Sequence, residues 1–368
     1  MNANAHWLDA RRAEAANRFA ALGVPHRRVE DWKYSDLKSA IDGANDDAAA
    51  QWSLAALPDG VESFDLAQAD APDWVRKHFG TLPQNAMASA SFAQARSGVA
   101  LRVTKAAAAV RLAFAEAGSA RGLVVLEDGA SLTLCEDFET VGFTNIGVEI
   151  VVGANAQLTH IRMALLSDAV QVEEYAVRIA RGGVYRAHLF NGGAKLSRAE
   201  FQIALAGENA SAQLSGVSVL GDGAHADVTT HVVHAVGHTT STQLFKHVAG
   251  GKSRAVYQGR VTVEQGADKS DSRQTAKALL MGERAEADLK PELEIFADDV
   301  KCAHGAAVGD LDDASLFYLR ARGIPEAEAR NMLVRAFLEE AVDEIADEAL
   351  RETVWASVEA ALPKAMLP

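Results

Sequence analysis

The sequence predicts a mainly β protein whose β core is flanked by an N-terminal and a C-terminal helical region. Between residues 99 and 309 short extended runs dominate, and glycine-rich turns separate them. No long helical pattern interrupts this part of the chain, which disfavours the crossover sheet of an α/β protein. We therefore divide the chain into a helical or mixed region 1–98, a β core 99–309 and a helical region 310–368.

The architecture of the β core stays open between a β-sandwich, a β-barrel and a β-helix. Several intervals between its turns are about 24 residues long, which hints at the coils of a repeat architecture. A β-helix fits the recurring turns of glycine, alanine and an apolar residue best. Each coil of such a solenoid must stack on its neighbour to bury its inner face.

Composition indicates a cytoplasmic protein. No apolar run among the 368 residues reaches the ~18 residues that a membrane helix needs, and the first residues lack a secretory apolar segment. The formal net charge of −14 disfavours nucleic acid and anionic membranes as partners. The two cysteines, Cys135 and Cys302, form no disulfide framework and suit a reducing compartment.

The N-terminal region begins with a predicted helix from about Asn4 to Leu22, followed by the stop signals Gly23 and Pro25. We interpret Trp32 and Tyr34 in the next segment as a small amphipathic cluster that holds the helical region together. Residues 38–98 contain short helices and strands, to which the sequence assigns no function.

The stretch 290–309 holds the best candidate for a functional site. A turn or the start of a strand is predicted at Pro291, and a second extended run covers 300–304 before Gly305 and Gly309 break it. Side chains two residues apart on a strand share a face, so Cys302 and His304 would lie about 7 Å apart. A thiol and an imidazole on one face form half of a soft-metal site.

The C-terminal region predicts three helices. Asp312 or Asp313 caps the first, which ends at Gly323, and Pro325 precedes the second. The third extends from about Asp347 to Leu362. One apolar stripe is predicted along the second helix, formed by Ala329, Met332, Leu333, Ala336, Phe337 and Ala341.

Catalytic motifs are absent: the sequence has no HExxH, no CxxC and no G-x-S-x-G, so we expect no enzyme and no catalytic residues. A histidine-rich stretch leaves one alternative open, a metal-dependent enzyme with a β fold. His231 and His234 differ by an odd number of residues and would face opposite sides of a strand, so the whole group does not converge. The stretch contains His225, His231, His234, His238 and His247.

Residues 290–309 resemble the C-terminal signature of the SufB/SufD family of iron–sulfur cluster assembly proteins. The pair His304–Gly305 is similar to the SufD branch, whereas SufB-type sequences tend to have His-Glu there. Residues 25–37 are similar to the N-terminal pattern of the same family, and His234 resembles a recurrent family histidine. The matching residues in the C-terminal window are Lys290, Pro291, Leu293, Glu294, Ile295, Asp298, Asp299, Val300, Lys301, Cys302, His304, Gly305, Ala306 and Gly309.

The resemblance implies a right-handed parallel β-helix and a scaffold function. The chain would pair with a SufB-like subunit, or with itself when alone, and bind iron or a nascent cluster transiently, with no cofactor held tightly by the isolated chain. His304 would be the main ligand and Cys302 an auxiliary thiol. A cluster usually takes four ligands, mostly thiolates, so a second chain would complete the site.

The resemblance also implies that a SufC-like ATPase docks on the C-terminal helices. The residues expected to contact it are Phe317, Tyr318, Leu319, Met332 and Phe337. A purely structural subunit that recruits the ATPase without contacting metal is the second interpretation, ahead of the histidine-site enzyme.

Overall fold

The computed structural model describes residues 6–41, 50–165 and 168–366, and within them the chain forms eighteen strands and seven α-helices. The first residues of the predicted helix from Asn4, and part of region 38–98, lie outside the described residues. The strands are β1 (Trp52–Leu54), β2 (Val61–Asp65), β3 (Gly98–Val103), β4 (Val110–Phe114), β5 (Gly118–Leu126), β6 (Ser131–Phe138), β7 (Gly142–Val152), β8 (Gln157–Ala164), β9 (Ala169–Ile179), β10 (Val184–Asn191), β11 (Leu196–Leu205), β12 (Ser211–Leu220), β13 (His225–His234), β14 (Thr240–Ala249), β15 (Arg254–Val263), β16 (Asp271–Leu280), β17 (Glu286–Ile295) and β18 (Lys301–Gly309). The helices are α1 (Asp9–Leu22), α2 (Leu37–Ala40), α3 (Asp73–His78), α4 (Ala86–Gln94), α5 (Asp313–Ala321), α6 (Glu326–Val342) and α7 (Glu348–Ala365).

The strands form two sheets that the chain visits in alternation. Sheet I has the order β1-β4-β6-β8-β10-β12-β14-β16-β18, and sheet II has the order β2-β3-β5-β7-β9-β11-β13-β15-β17. All neighbours from β3 onward pair in parallel, and only β1 and β2 add antiparallel strands at the other end. The core is therefore a parallel β-solenoid, and the predicted β-helix with helices at both ends is confirmed.

The coils are longer than the predicted interval of about 24 residues. Stacked positions along sheet I are separated by 26, 27, 27, 29, 31 and 30 residues. A coil contains two strands and two turns, so the distance from one turn signal to another underestimates its length. The stacked residues are Ser131, Gln157, Val184, Ser211, Thr240, Asp271 and Lys301.

The N-terminal region packs on the outer face of sheet II. Trp32 is buried there, and the Arg198 guanidinium carbon lies 4.3 Å from its ring centroid. Arg198 is paired with Asp227, which also accepts a 2.6 Å hydrogen bond from Ser35. The tryptophan thus anchors this segment to the solenoid, and does more than hold the helical region together.

Helices α6 and α7 pack on the outer face of sheet I, against Val217 and Val248 among others. Asp312, one of the two residues predicted as a cap, caps α5, and Asp347, the predicted start of the third helix, caps α7. The predicted stripe of α6 is partly wrong, since Met332 and Ala336 are exposed. Apolar residues occur on more than one side of α6, and only its packing on sheet I selects the buried side. The buried residues of α6 are Ala329, Val334, Leu338, Ala341 and Val342.

Two predicted boundaries in the stretch 290–309 are wrong. β17 continues through Pro291, and β18 continues past Gly305 to Gly309. Parallel pairing with the preceding coil overrides the local signals, since Pro291 pairs with Gly259 and Gly305 with Thr275. None of the helices in the described ranges is long and apolar enough to cross a membrane.

Candidate functional site

The C-terminal end of the solenoid is uncovered. β17 and β18 are the last strands of sheet II and sheet I, so among the described strands each has a neighbour on one side only. Three large apolar side chains of this last coil are well exposed: Ile295 (41%), Phe296 (61%) and Val308 (47%). We call this surface the open end. Unpaired strand edges and exposed apolar side chains are typical of a surface that another chain covers.

The two free edges of the open end differ. Alternate residues of a strand direct their amide groups to opposite sides. The amides of Glu286 and Phe296 donate to the β15 side, so residue 291 faces the free edge, where proline has no amide hydrogen. β18 contains no proline, and after Lys301 it has no Asp, Glu, Lys or Arg side chain. Pro291 and the charged side chains of β17 hinder the pairing of another strand at its free edge, whereas the free edge of β18 can pair with a strand of another chain.

Cys302 and His304 lie on β18, on the side that faces the solenoid interior. Cys302 is half-buried and packs against the interior core, whereas His304 is exposed. Burial raises the pKa of the Cys302 thiol, and the nearby Asp271 carboxylate raises it further. The predicted pair is therefore found on one face, with the imidazole accessible and the thiol protonated.

A polar column lies directly behind His304 inside the solenoid. His304 is in register with Gln274, and Gln274 with Gln243. Gln243 accepts hydrogen bonds from Thr230 (2.6 Å) and Tyr257 (3.1 Å). The Gln274 side chain is buried, yet neither of its amide atoms has a partner among the described residues. This buried amide is free to bond a group that enters the open end.

A second column of hydroxyl groups lies behind Cys302. Cys302 is in register with Ser272, whose hydroxyl is 2.8 Å from that of Ser241. Ser241 in turn lies 2.9 Å from His234 Nε2, and His234 Nδ1 lies 2.8 Å from Thr239 Oγ1. Burial lowers the pKa of His234 to about 4, so the ring is neutral and already satisfied. His234 supports the interior columns and has no free nitrogen for a metal.

The histidines of residues 225–247 do not form a metal site. His225 bonds Ser35, His231 bonds Thr262, and His238 lies in an exposed turn. Among the described residues no group of three or more His, Cys, Asp or Glu side chains could hold a metal ion. The histidine-site enzyme therefore has no geometric support in this part of the chain.

His247 gives a pH-dependent prediction. It is buried inside the solenoid, no described group bonds either ring nitrogen, and burial lowers its pKa from 6.5 to about 4. The unfolded chain then binds a proton between pH 6.5 and 4 that the folded chain does not, so stability falls as the pH falls. His247→Leu should reduce the stability lost between pH 7.5 and pH 5, measured by urea unfolding, by about 2 kcal/mol. Parallel stability curves for the two proteins would contradict this.

The residues predicted to contact an ATPase have different environments. Phe317, Tyr318 and Met332 are exposed, and Leu319 is half-buried. The Phe337 ring lies 4.6 Å from the Lys246 ammonium, and its carbonyl accepts a 2.7 Å bond from the same group. Phe337 thus holds α6 to sheet I, while the exposed ring of Phe317 and that of Tyr318, which contacts only Arg322 of the same segment, face solvent.

Sequence reasoning missed Gln274 and Ser272, the residues directly behind the candidate ligands. Both lie 30 residues before their partners in register, Gln274 before His304 and Ser272 before Cys302. An accurate coil length would have found them, but the turn spacing predicted too short a coil.

Comparison with known proteins adds independent information. Residues 110–337 match the family model of the SUF system FeS cluster assembly, SufBD core domain, and residues 1–45 match the SufBD protein N-terminal region. The chain is 37% identical over 243 residues to the iron-sulfur cluster assembly protein SufD of Escherichia coli, covering 65% of this chain and 57% of that protein.

Two further relatives are SufBD family proteins of iron-sulfur cluster assembly. That of Synechocystis is 33% identical over 238 residues, covering 61% of this chain and 52% of the relative. That of Mycobacterium bovis is 28% identical over 360 residues, covering 92% and 89%. The chain thus spans little more than half the length of the first two relatives and most of the third.

Proposed function

The chain belongs to the SufBD family of the SUF system for FeS cluster assembly, and we propose that it is a SufD-like, non-catalytic subunit of the assembly scaffold. It pairs through the open end with a SufB-like chain and contributes ligands for iron or a nascent cluster at their interface. The observation that carries the proposal is the unprotected edge of β18, which presents an exposed His304 beside Cys302.

The pairing proposal rests on the hydrogen bonds that β18 leaves unused. Lys301 donates to the carbonyl of Ser270 on the β16 side. Because amide direction alternates, the amides of Cys302, His304, Ala306 and Val308 face the free edge. A strand of a partner that pairs here would satisfy them and cover Val308, as in recognition by β-strand addition.

The ligand proposal rests on an incomplete donor set. An iron–sulfur cluster usually takes four ligands, mostly thiolates, and this face offers one imidazole and one thiol. The Cys302 thiol must lose its proton to bind a metal, and its raised pKa makes it the weaker of the two. His304 is therefore the main ligand, Cys302 an auxiliary one, and the partner supplies the remaining donors.

The ATPase proposal rests on the exposed part of the C-terminal helices. The sequence AGGKS at 249–253 resembles the end of a P-loop, but Lys246 occupies the place of the earlier glycine, so ATP chemistry comes from a partner. Phe317 and Tyr318 on α5 and Met332 on α6 form the surface for a SufC-like ATPase. Helix α6 is fixed to sheet I by Lys246, so movement of the ATPase moves the solenoid.

One experiment with two variants tests both partners. Ala306→Pro removes an amide at the free edge of β18 while it preserves the amides that pair with β16, and Phe317→Ser removes an exposed aromatic ring. In copurification with both partners, Ala306→Pro should lose the SufB-like chain and retain the ATPase, and Phe317→Ser should do the reverse.

Each variant is the control for the other, and Ala306→Ser, which keeps the amide, should bind both partners. Point substitutions are cleaner than deletion of the helices, because deletion would expose the apolar outer face of sheet I. The proposal fails if both variants retain both partners.

A further inference from the structure

A cavity of about 210 Å³ lies far from the open end, between α1, α4 and the loop of residues 80–84. Three arginines line it: Arg11 and Arg18, which are two turns apart on one face of α1, and Arg121 from β5. The chain as a whole has a formal net charge of −14, so a cavity lined by three cationic side chains differs in sign from the protein overall.

Two of these arginines lack a counter-ion. Arg11 donates a 2.8 Å hydrogen bond to the carbonyl of Phe79. In the described part of the chain, no carboxylate lies within ion-pair distance of either Arg11 or Arg18, and Arg18 makes no hydrogen bond to any described residue. The one acidic side chain that lines the cavity, Glu14, is exposed and pairs with neither arginine.

Two buried polar groups at the cavity also lack partners. Ser89 is 2% exposed and Arg121 4% exposed, and both line the cavity. The Ser89 hydroxyl and Arg121 Nε bond no atom among the described residues. Arg121 Nη2 donates to Glu149, and the second oxygen of Glu149 accepts a 2.6 Å bond from the Gly80 amide. Both carboxylate oxygens of Glu149 are thus hydrogen-bonded, while Arg121 Nε and the Ser89 hydroxyl have no acceptor among the described residues.

The rest of the cavity lining is mostly apolar, with Gln84 as its further polar side chain. Leu82, Pro83 and Phe92 line it, together with Ala15 and Ala88. Ala88 and Ser89 lie near the N-terminal end of the nine-residue helix α4, where the helix dipole favours negative charge. Arginine side chains recognise phosphate oxygens through paired, charge-assisted hydrogen bonds, and a buried hydroxyl adds one donor. An anion with an apolar body matches both halves of this lining.

We propose that this pocket binds the phosphate group of a small organic molecule. The phosphate lies among Arg11, Arg18, Arg121 and Ser89, and the organic body contacts Leu82 and Phe92. The site is separate from the open end and from the proposed ATPase surface, so binding does not depend on either partner.

Calorimetric titration of the full chain with phenyl phosphate tests the proposal. Arg18→Gln should weaken binding by about tenfold or more, and Ser89→Ala by about two- to tenfold, according to the usual strengths of charged and neutral hydrogen bonds. The matched control is Arg178→Gln, the same charge change at an exposed position on β9, which should leave the affinity within about twofold. Arg18 bonds no described residue, so its replacement should not change the unfolding midpoint.

Two further ligands identify the chemistry. Inorganic phosphate should bind more weakly than phenyl phosphate because it cannot contact the apolar wall, and benzoate should bind more weakly because it carries less charge. The proposal is overturned if phenyl phosphate does not bind at millimolar concentration, or if Arg178→Gln weakens it as much as Arg18→Gln. If inorganic phosphate binds as tightly as phenyl phosphate, the proposed contact of the organic body with Leu82 and Phe92 is wrong. If benzoate binds as tightly, the proposed specificity for phosphate is wrong.

Discussion

His304→Ala should lower cluster formation on the complex reconstituted with SufB-like and SufC-like partners by more than about tenfold. Even residues that only support a metal ligand change affinity by about 10- to 100-fold, and His304 is proposed to bind the metal directly. The measurement is the visible absorbance of the cluster after reconstitution with iron and sulfide. Cys302→Ala should have the smaller effect, because the thiol is half-buried with a raised pKa.

The environment of His304 makes this experiment specific. The side chain is exposed and bonds no described residue, so its removal should change the free energy of unfolding by less than about 0.5 kcal/mol. Lys301→Ala, an exposed residue on the opposite face of β18, should preserve cluster formation. Undiminished assembly with His304→Ala would rule out the ligand role and leave the purely structural subunit as the better interpretation.

Arg162→Leu should destabilise the solenoid by about 3–5 kcal/mol in urea unfolding. Arg162 is fully buried inside the core, where its guanidinium pairs with Glu173 and donates to the Asn191 side chain and, at 3.2 Å, to the Phe190 carbonyl. Removing the guanidinium leaves the buried Glu173 carboxylate without its counter-ion. The desolvation cost of that charge is then uncompensated, which is the main source of the loss.

Two controls separate this explanation from a general effect of losing arginine. Arg335→Leu breaks an ion pair with Glu359 that is about half exposed, and should cost less than about 1 kcal/mol. The double variant Arg162→Leu/Glu173→Leu removes both charges and should recover most of the stability. A loss below 1 kcal/mol for Arg162→Leu would contradict the proposed cost of the unpaired Glu173 carboxylate.

Much of the site was predictable because its signals are local. Cys302 and His304 are two residues apart, so any extended conformation places them on one face. A helix cap acts within a single helical turn, and the structure places the predicted cap Asp312 at the start of α5. The resemblance in residues 290–309 identified the family, which the match over residues 110–337 establishes.

The wrong boundaries share one physical cause. Pro291 and Gly305 are local signals for a turn, yet each lies within a strand that the preceding coil extends by parallel pairing. Such pairing joins residues about 30 positions apart, and a local pattern contains no information about it. In α6, Met332 and Val334 are both apolar. The helix packs on sheet I with Val334 in the contact, which leaves Met332 exposed.

The sequence by itself determined the β core with helical flanks, the family, and the pair of candidate ligands, because each depends on neighbouring residues or on short motifs. Only the tertiary structure decided that β18 is the unprotected edge, that the unpaired amide of Gln274 lies behind His304, and that Arg18 and Arg121 line one cavity. These features depend on register between coils and on packing between distant segments. They arise when the coils stack and distant segments pack together, so the sequence of a single segment does not specify them.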